Sequence, residues 1–345
     1  MPRSASGSRP SMADVARLSD VSTMTVSRYF TGSGYVSDAA RQRIASAIEQ
    51  LGYRPNQSAR SLRSQRTNTV GVLSMGALNY GSAEVLTGLS KAAREASFTL
   101  SIIQLDLDFE SPGWKEETTK AVGRLLSIPV DGIVLSTPVL GADELLTDWA
   151  RSIPVITISE RPRAALATAG THSYSAGRQA TDHLVGLGHT AILHVAGPTT
   201  RNEASERERG YRDAMAAAGL EPYVLSEATD WTASSGHRAG RFAEVDRFTA
   251  AFCANDELAL GFLNAMDERG LHAPGDFSIV GVDDMPSAAY FLPALTTVRL
   301  DFRTLGARTF ELLHARITNA AEVPEHFVIE PELVVRRSSA APHAR

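Results

Sequence analysis

Cysteine occurs once in 345 residues, at Cys253, which excludes an internal disulfide, a zinc knuckle and a CxxC redox pair. Lysine is almost absent, being confined to Lys91, Lys115 and Lys120. None of the three follows a glycine, so no GxxxxGK[ST] loop can cradle a nucleotide phosphate. HExxH and GxSxG are missing too, and the nine histidines are scattered. Of these, His183 and His189 read as surface or capping residues at a helix end. No apolar run approaches the roughly 18 residues of a membrane span. The first ten residues, rich in Ser, Arg and Pro, lack the apolar core of a signal peptide. Together these absences predict a cytoplasmic protein that is not an enzyme and has no membrane contact, metal site or cofactor.

The net charge of −5 conceals an asymmetry. Residues 1–66 hold ten arginines against four acids, net +6, while the remainder holds 24 basic and 35 acidic residues, net −11. A basic head on an acidic body implies that the head touches a polyanion. Every base in the head is arginine, whose planar fork grips phosphate or guanine through two hydrogen bonds at once.

The head carries helical periodicity. Met12, Val15 and Ala16 lie on one face, Ser19, Asp20 and Val21 interrupt it, and Ser22 caps a second helix over Thr23–Phe30. Two short helices joined by such a turn make a helix-turn-helix whose second helix can enter a major groove. Ser37 and Asp38 open a third helix, with Ile44, Ile48 and Leu51 at helical spacing and Gly52 as its stop. Residues 1–11 are expected to be disordered, residues 12–54 to form this DNA-binding domain, and residues 55–67 to form a hinge helix and linker. The hinge has only Ala59 and Leu62 as apolar residues, so its helix is marginal by itself in water.

From Thr69 onward, short apolar strands alternate with amphipathic helices. Strands are expected at Val70–Leu73, Thr99–Leu105, Gly132–Ser136, Val155–Ser159, Ala191–Ala196, Thr249–Cys253 and Ile279–Val282. Helices are expected at Ala83–Ala96, Tyr174–Leu187, Ala204–Ala218 and Glu257–Arg269. Such alternation predicts α/β architecture, with doubly wound parallel sheets covered on both faces. The number of units calls for two subdomains. Ligands bind these sheets at the carboxyl ends of the strands, which draws attention to Ser136, Ser159, Asn255 and Asp283.

Several motifs in order carry a more specific likeness: Asp14-Val15-Ala16, Val21-Ser22-x-x-Thr25-Val26-Ser27-Arg28, Gly52-Tyr53-x-Pro55-Asn56, Ala59-x-x-Leu62, Ala254-Asn255-Asp256, Gly281-x-Asp283-Asp284 and Leu295-Thr296-Thr297-Val298. With these, the chain resembles the lactose/galactose repressor (LacI/GalR) family of bacterial transcription regulators from Met12 to about Arg336, and within it the lactose-repressor branch. The resemblance implies a periplasmic-binding-protein-like body over residues 68–339, serving effector binding and dimerisation, followed by a tail at 340–345. Its N-subdomain would comprise about 68–170 and 300–328, and its C-subdomain about 171–299 and 329–339. It also implies a homodimer on double-stranded operator DNA. Ser22, Thr23, Met24, Arg28, Ser37, Asn56, Ala59 and Leu62 would contact that DNA, and Leu62 would wedge into the minor groove from paired hinge helices. Asp20 replaces a glycine that many relatives carry in the turn, a place where aspartate tolerates the left-handed conformation. The tail lacks leucine heptads, so a dimer rather than a tetramer is expected.

For the effector, the resemblance singles out Ser136, Ser159, Arg207, Trp231, Asn255, Asp283 and Phe302. Arg207 sits within Glu206-Arg207-Glu208-Arg209, which by itself reads as a solvated helix face. Sugars offer hydroxyls and one apolar face, and Asp, Asn, Arg and aromatic side chains hold both. Ser159 stands where the branch has an acid, Leu300 where it has glutamine and Ser136 where it has an amide. These departures point to a sugar that is smaller, differently substituted or held more loosely. The expected function is repression of sugar-utilisation genes, relieved by a sugar inducer, a galactoside first. A purine corepressor is the alternative, and a periplasmic-type sugar-binding protein or an enzyme is a distant one.

Overall fold

The computed structural model describes residues 10–54, 66–105, 113–136, 153–160, 166–198, 200–320 and 326–342. The hinge positions Asn56, Ala59 and Leu62 lie outside the described residues. The chain divides into two units, Met1–Thr67 and Asn68–Arg345.

Three capped helices build the first unit. Helix α1 (Met12–Leu18) opens with a reciprocal box: Asp14 N–H donates to the Ser11 hydroxyl, and Ser11 N–H donates to the Asp14 carboxylate. Helix α2 (Thr23–Thr31) starts at Ser22, whose hydroxyl accepts from Thr25 N–H at 3.1 Å, and stops at Gly32 with φ +66°. Helix α3 (Asp38–Leu51) starts at Ser37 and stops at Gly52. Asp20 adopts φ +49° in the turn between α1 and α2, as its residue type allows. Val15, Val26, Ala40, Ile44 and Ala47 meet in one core, closed by Val36 and Tyr53 from the flanking loops.

The second unit holds two six-stranded sheets. The first contains β1 (Thr69–Met75), β2 (Thr99–Leu105), β3 (Gly132–Ser136), β4 (Val155–Ile158) and β5 (Ala167–Thr171). The second contains β6 (Ile192–Val195), β7 (Tyr223–Leu225), β8 (Ala250–Cys253), β9 (Ser278–Asp283) and β10 (Thr296–Arg299). Late in the chain, β11 (His326–Ile329) returns to the first sheet and β12 (Glu332–Val334) joins the second. The orders are 11-5-4-3-1-2 and 12-10-9-8-6-7, with only β12 antiparallel to its neighbour. Thus the last two strands, only two residues apart, belong to different sheets.

Among the described residues the unit also holds helices α4 (Tyr80–Glu95), α5 (Trp114–Leu126), α6 (Ser173–Gly186), α7 (Asn202–Ala217), α8 (Ala233–Phe242), α9 (Asp256–Asp267) and α10 (Phe302–Ile317). The pairs α4–α10, α6–α7 and α8–α9 make the most extensive helix contacts. In α8–α9 the approach is closest where Gly236 faces the Leu258 carbonyl and Gly261 faces that of Ala233. Phe248, Phe262 and Phe277 interlock beneath this pair at centroid distances of 6.0–6.1 Å. Each such buried ring contributes roughly 1.5–3 kcal/mol.

Two expectations need correction. His189 is not a surface residue: it is 2% exposed, and its ring bonds Thr249 Oγ1, Ser278 Oγ and the Ala340 carbonyl. The final segment folds back over the helix end and buries it, a long-range event without local signature. Strand β5, with the sequence Ala-Thr-Ala-Gly-Thr, was not expected at all, because it lacks the branched apolar residues that announce a buried strand.

Candidate functional site

On the first unit, α2 turns Thr23, Met24 and Arg28 to solvent, with Met24 62% exposed. The Arg28 stem lies 3.5 Å from where a Cβ on Gly34 would sit, and its guanidinium has no ion-pair partner among the described residues. The hydroxyls of Ser22 and Ser37 cap their helices and remain at the surface. An exposed helix with one free cation and two short polar caps can read base edges and hold phosphates.

On the second unit, the carboxyl ends of both sheets face one cleft, open to solvent. All seven expected effector residues border it: Ser136 ending β3, Ser159 after β4, Arg207 on α7, Trp231 before α8, Asn255 after β8, Asp283 ending β9 and Phe302 opening α10. Leu300 does not; it lies buried in the core beneath the second sheet.

Arg207 is 4% exposed, which overturns its reading as part of a solvated helix face. Its Nη1 donates to the Ala254 carbonyl at 2.6 Å, and its Nη2 stands 3.6 Å from Asp283 Oδ1. Its guanidinium also lies over the Trp231 ring, 5.4 Å from the centroid. The indole in turn fills the space left by Gly197, whose Cβ would meet it at 2.5 Å. Asn255 is committed to the scaffold: Oδ1 caps α9 by accepting from Leu258 N–H, and Nδ2 donates to the Trp231 carbonyl. It positions the indole as much as it faces the cleft. Phe302 meets Tyr80 edge-on at 6.1 Å, in room left by Gly81.

Asp283 ends its strand at φ +115°, a region costly for any residue with a side chain and one that persists where the surroundings enforce it. The enforcement is visible. Asp256 accepts from Thr297 Oγ1 and Met285 N–H, and Asp284 is gripped by Arg299 at 2.8 Å and Arg336 at 2.5 Å. Burial pushes the Asp283 carboxyl up to about 7, against the pull of Arg207. Three atoms on this wall, Arg207 Nε, Trp231 Nε1 and Asp283 Oδ1, are buried without a hydrogen-bond partner among the described residues. Buried polar atoms of native proteins are nearly always satisfied, so such a cluster marks a place for polar ligand atoms.

Sequence reasoning missed Asn79, Glu160, Thr171, Arg201 and Glu203 on the cleft wall. Glu160 directly follows Ser159, so the acid absent from one position is supplied by the next. Its carboxylate accepts from Thr171 Oγ1 and, at 3.0 Å, from Ser173 N–H. Burial pushes it to about 7 as well. Arg201 and Glu203 follow the end of β6 and pair at 3.3 Å. The strand-end rule that found Asn255 and Asp283 applied to them equally. Among the described residues no group of three or more His, Cys, Asp or Glu could hold a metal ion, and no helix is long and apolar enough to cross a membrane.

Comparison with known proteins places both units in known families. Residues 11–56 match the model for bacterial regulatory proteins of the lacI family, and residues 181–339 match a periplasmic binding protein-like domain. The HTH-type transcriptional repressor PurR of Vibrio campbellii is 32% identical over 331 residues, covering 94% of this chain and 97% of that protein. PurR of Escherichia fergusonii is 32% identical over 340 residues, covering 95% and 96%. Among solved structures, the Lac repressor dimer bound to operator and an anti-inducer aligns with TM-score 0.88 at 26% identity, covering 97% of this chain and all of that one. A complex of the regulator CelR with cellobiose aligns with TM-score 0.69 at 29% identity, covering 96% and 100%.

Proposed function

This chain belongs to the lacI family of bacterial regulatory proteins, as a DNA-binding transcriptional repressor, and from that premise we propose that its effector is a sugar. Two copies would hold a palindromic operator through paired heads, with Ser22, Thr23, Met24, Arg28 and Ser37 on the DNA and the hinge positions Asn56, Ala59 and Leu62 beside them. The sugar would lie in the cleft between the two sheets of the second unit. Its apolar face would rest on Trp231 and Phe302, and its hydroxyls would reach Ser136, Ser159, Arg207, Asn255 and Asp283.

The observation that carries this reading is the set of three buried atoms without a hydrogen bond among the described residues, a donor on Arg207, a donor on Trp231 and an acceptor on Asp283. A hydroxyl both donates and accepts, so a polyol satisfies such a mixed wall. Occupancy would bias the relative setting of the two sheets and, through the hinge, the affinity for operator. A coupling of about 1–3 kcal/mol suffices to change occupancy usefully.

The test is a thermal-shift screen of the full chain against galactosides, glucosides, other sugars and purines. A ligand of the folded state raises the midpoint by mass action. A galactoside shift, followed by loss of operator binding, supports the inducer reading. A shift with purines alone moves the assignment to a corepressor that tightens DNA binding, the reading favoured by the name PurR among the curated relatives.

A further inference from the structure

We propose that the effector carries an ammonium group, as in an amino sugar, and that Glu160 is the residue that selects it. This rests on the sugar reading above and narrows it.

The first argument is the balance of charge. Among the described residues, three carboxyl groups, Glu160, Glu203 and Asp283, line the cleft against two guanidiniums, those of Arg201 and Arg207. The cations are taken: Arg201 pairs with Glu203, and Arg207 faces Asp283. Glu160 has no ion-pair partner among the described residues. Its contacts are two neutral donors, the Thr171 hydroxyl and the Ser173 N–H at the start of α6.

The second argument is that the four charges act on one space. Arg207 favours ionisation of both Glu160 and Asp283, and Glu203 opposes it in both, although Glu160 follows a strand of the first sheet and Asp283 ends a strand of the second. A carboxyl group desolvated in this way is either protonated or matched by a cation, and an arriving ammonium supplies the match. The same balance disfavours phosphorylated sugars, whose charge would meet three carboxyls.

The third argument is that this wall is built for a ligand. Arg207, Trp231 and Asp283 are each more than nine-tenths buried, and each keeps a polar atom at the cleft that makes no hydrogen bond among the described residues. The helix start at Ser173 fixes Glu160 from behind, which orients the carboxylate and leaves its remaining lone pairs for a cation. His172, the residue before α6, makes no side-chain cap, so Glu160 serves that end of the helix as well.

Titration calorimetry on the full chain at pH 7.5 tests this, with 2-, 3- and 6-amino hexoses each compared with its parent hexose. At least one amino hexose is expected to bind about tenfold more tightly than its parent, a difference of about 1.4 kcal/mol. Glu160→Gln, checked for an intact thermal transition and operator binding, should bring that pair within about twofold. Parents that bind as tightly as all their amino counterparts, or a preference that survives Glu160→Gln, overturn the proposal while leaving the sugar reading in place. Binding of purines with no response to any hexose overturns both. If Glu160→Gln does not fold, Glu160→Asp replaces it: the shorter carboxylate should weaken the amino hexose and leave its parent unchanged. Equal losses for both would assign Glu160 to the scaffold alone.

Discussion

Arg207 and Asp283 face each other across 3.6 Å, both almost fully buried, and each retains a polar atom without a hydrogen bond among the described residues. A pair built for stability alone would close to a tight, fully bonded geometry, since buried charges are otherwise costly. This pair is held slightly open on the wall of a cleft. The spacing suits a third group that bonds both.

Arg207→Ala should therefore abolish the effector-induced thermal shift and the effector's influence on operator binding, while leaving operator binding intact. Deleting one partner of a buried pair generally costs about 3–5 kcal/mol. Here Asp283 can take up a proton, because burial has already brought it to about 7. The loss should accordingly be nearer ~1–3 kcal/mol, the cost of an unsatisfied polar group. Thermal denaturation and an operator-release assay measure the two effects. Persistent induction would place the effector elsewhere.

Stability should depend on pH in a definite sense. Glu160 and Asp283 hold their protons up to about 7 when folded, well above the usual carboxylate range. The folded state thus binds more protons than the unfolded chain in that window, and stability falls as pH rises through it to about 7. His194 acts oppositely. Buried between Tyr211 and Phe252, it stays neutral down to about 3, so its contribution is lost as pH falls below the usual histidine value. Burial also raises Asp256 and Glu257 and lowers His183 and His189, so four carboxyls stand against three imidazoles and predict a higher melting midpoint at pH 5.5 than at pH 7.5. Glu160→Gln should flatten that slope.

Close helix packing gives a matched pair of glycine substitutions. A Cβ at Gly261 would fall on the Ala233 carbonyl oxygen, so Gly261→Ala must push α8 and α9 apart. The expected loss is about 3 kcal/mol or more, the upper range for overpacked cores. Gly123 lies within α5 with nothing near its missing Cβ, and Gly123→Ala should stabilise by roughly 0.5–1 kcal/mol through helix propensity. Calorimetry should move the two midpoints in opposite directions.

In the head, Leu62→Ala should weaken operator binding far more than binding to random-sequence DNA, because an apolar wedge contributes only where the duplex is kinked. Arg28→Ala should cost about 1–3 kcal/mol and relax specificity at one base position, the signature of a lost bidentate contact. Anisotropy titrations on operator and random duplexes distinguish both from a general loss of phosphate contacts. Equal loss on the two duplexes after Leu62→Ala would remove the wedge.

The parts of this protein legible in its sequence are those determined by near neighbours. Ser22 and Ser37 start helices and Gly52 ends α3 through contacts within a few residues, and Asp20 carries the turn by its own side-chain chemistry. Strands β2 and β3 appear at the expected bounds because their apolar residues form unbroken or alternating runs. Strands β5, β7 and β10 and the terminal strands β11 and β12 were invisible, since a short strand inside a formed sheet borrows its stability from neighbours. Tertiary structure alone decided the fates of the charged residues. Arg207 and Glu208 are adjacent in a charged run, yet only Arg207 turns inward to meet Ala254 and Asp283, 47 and 76 positions away. Glu160 becomes part of the cleft only because β5 and the start of α6 fold against it, and His189 is buried only because the end of the chain returns. Helix caps and apolar periodicity act over a few residues and can be read along the chain. Charge burial depends on what arrives from afar, and no local pattern records it.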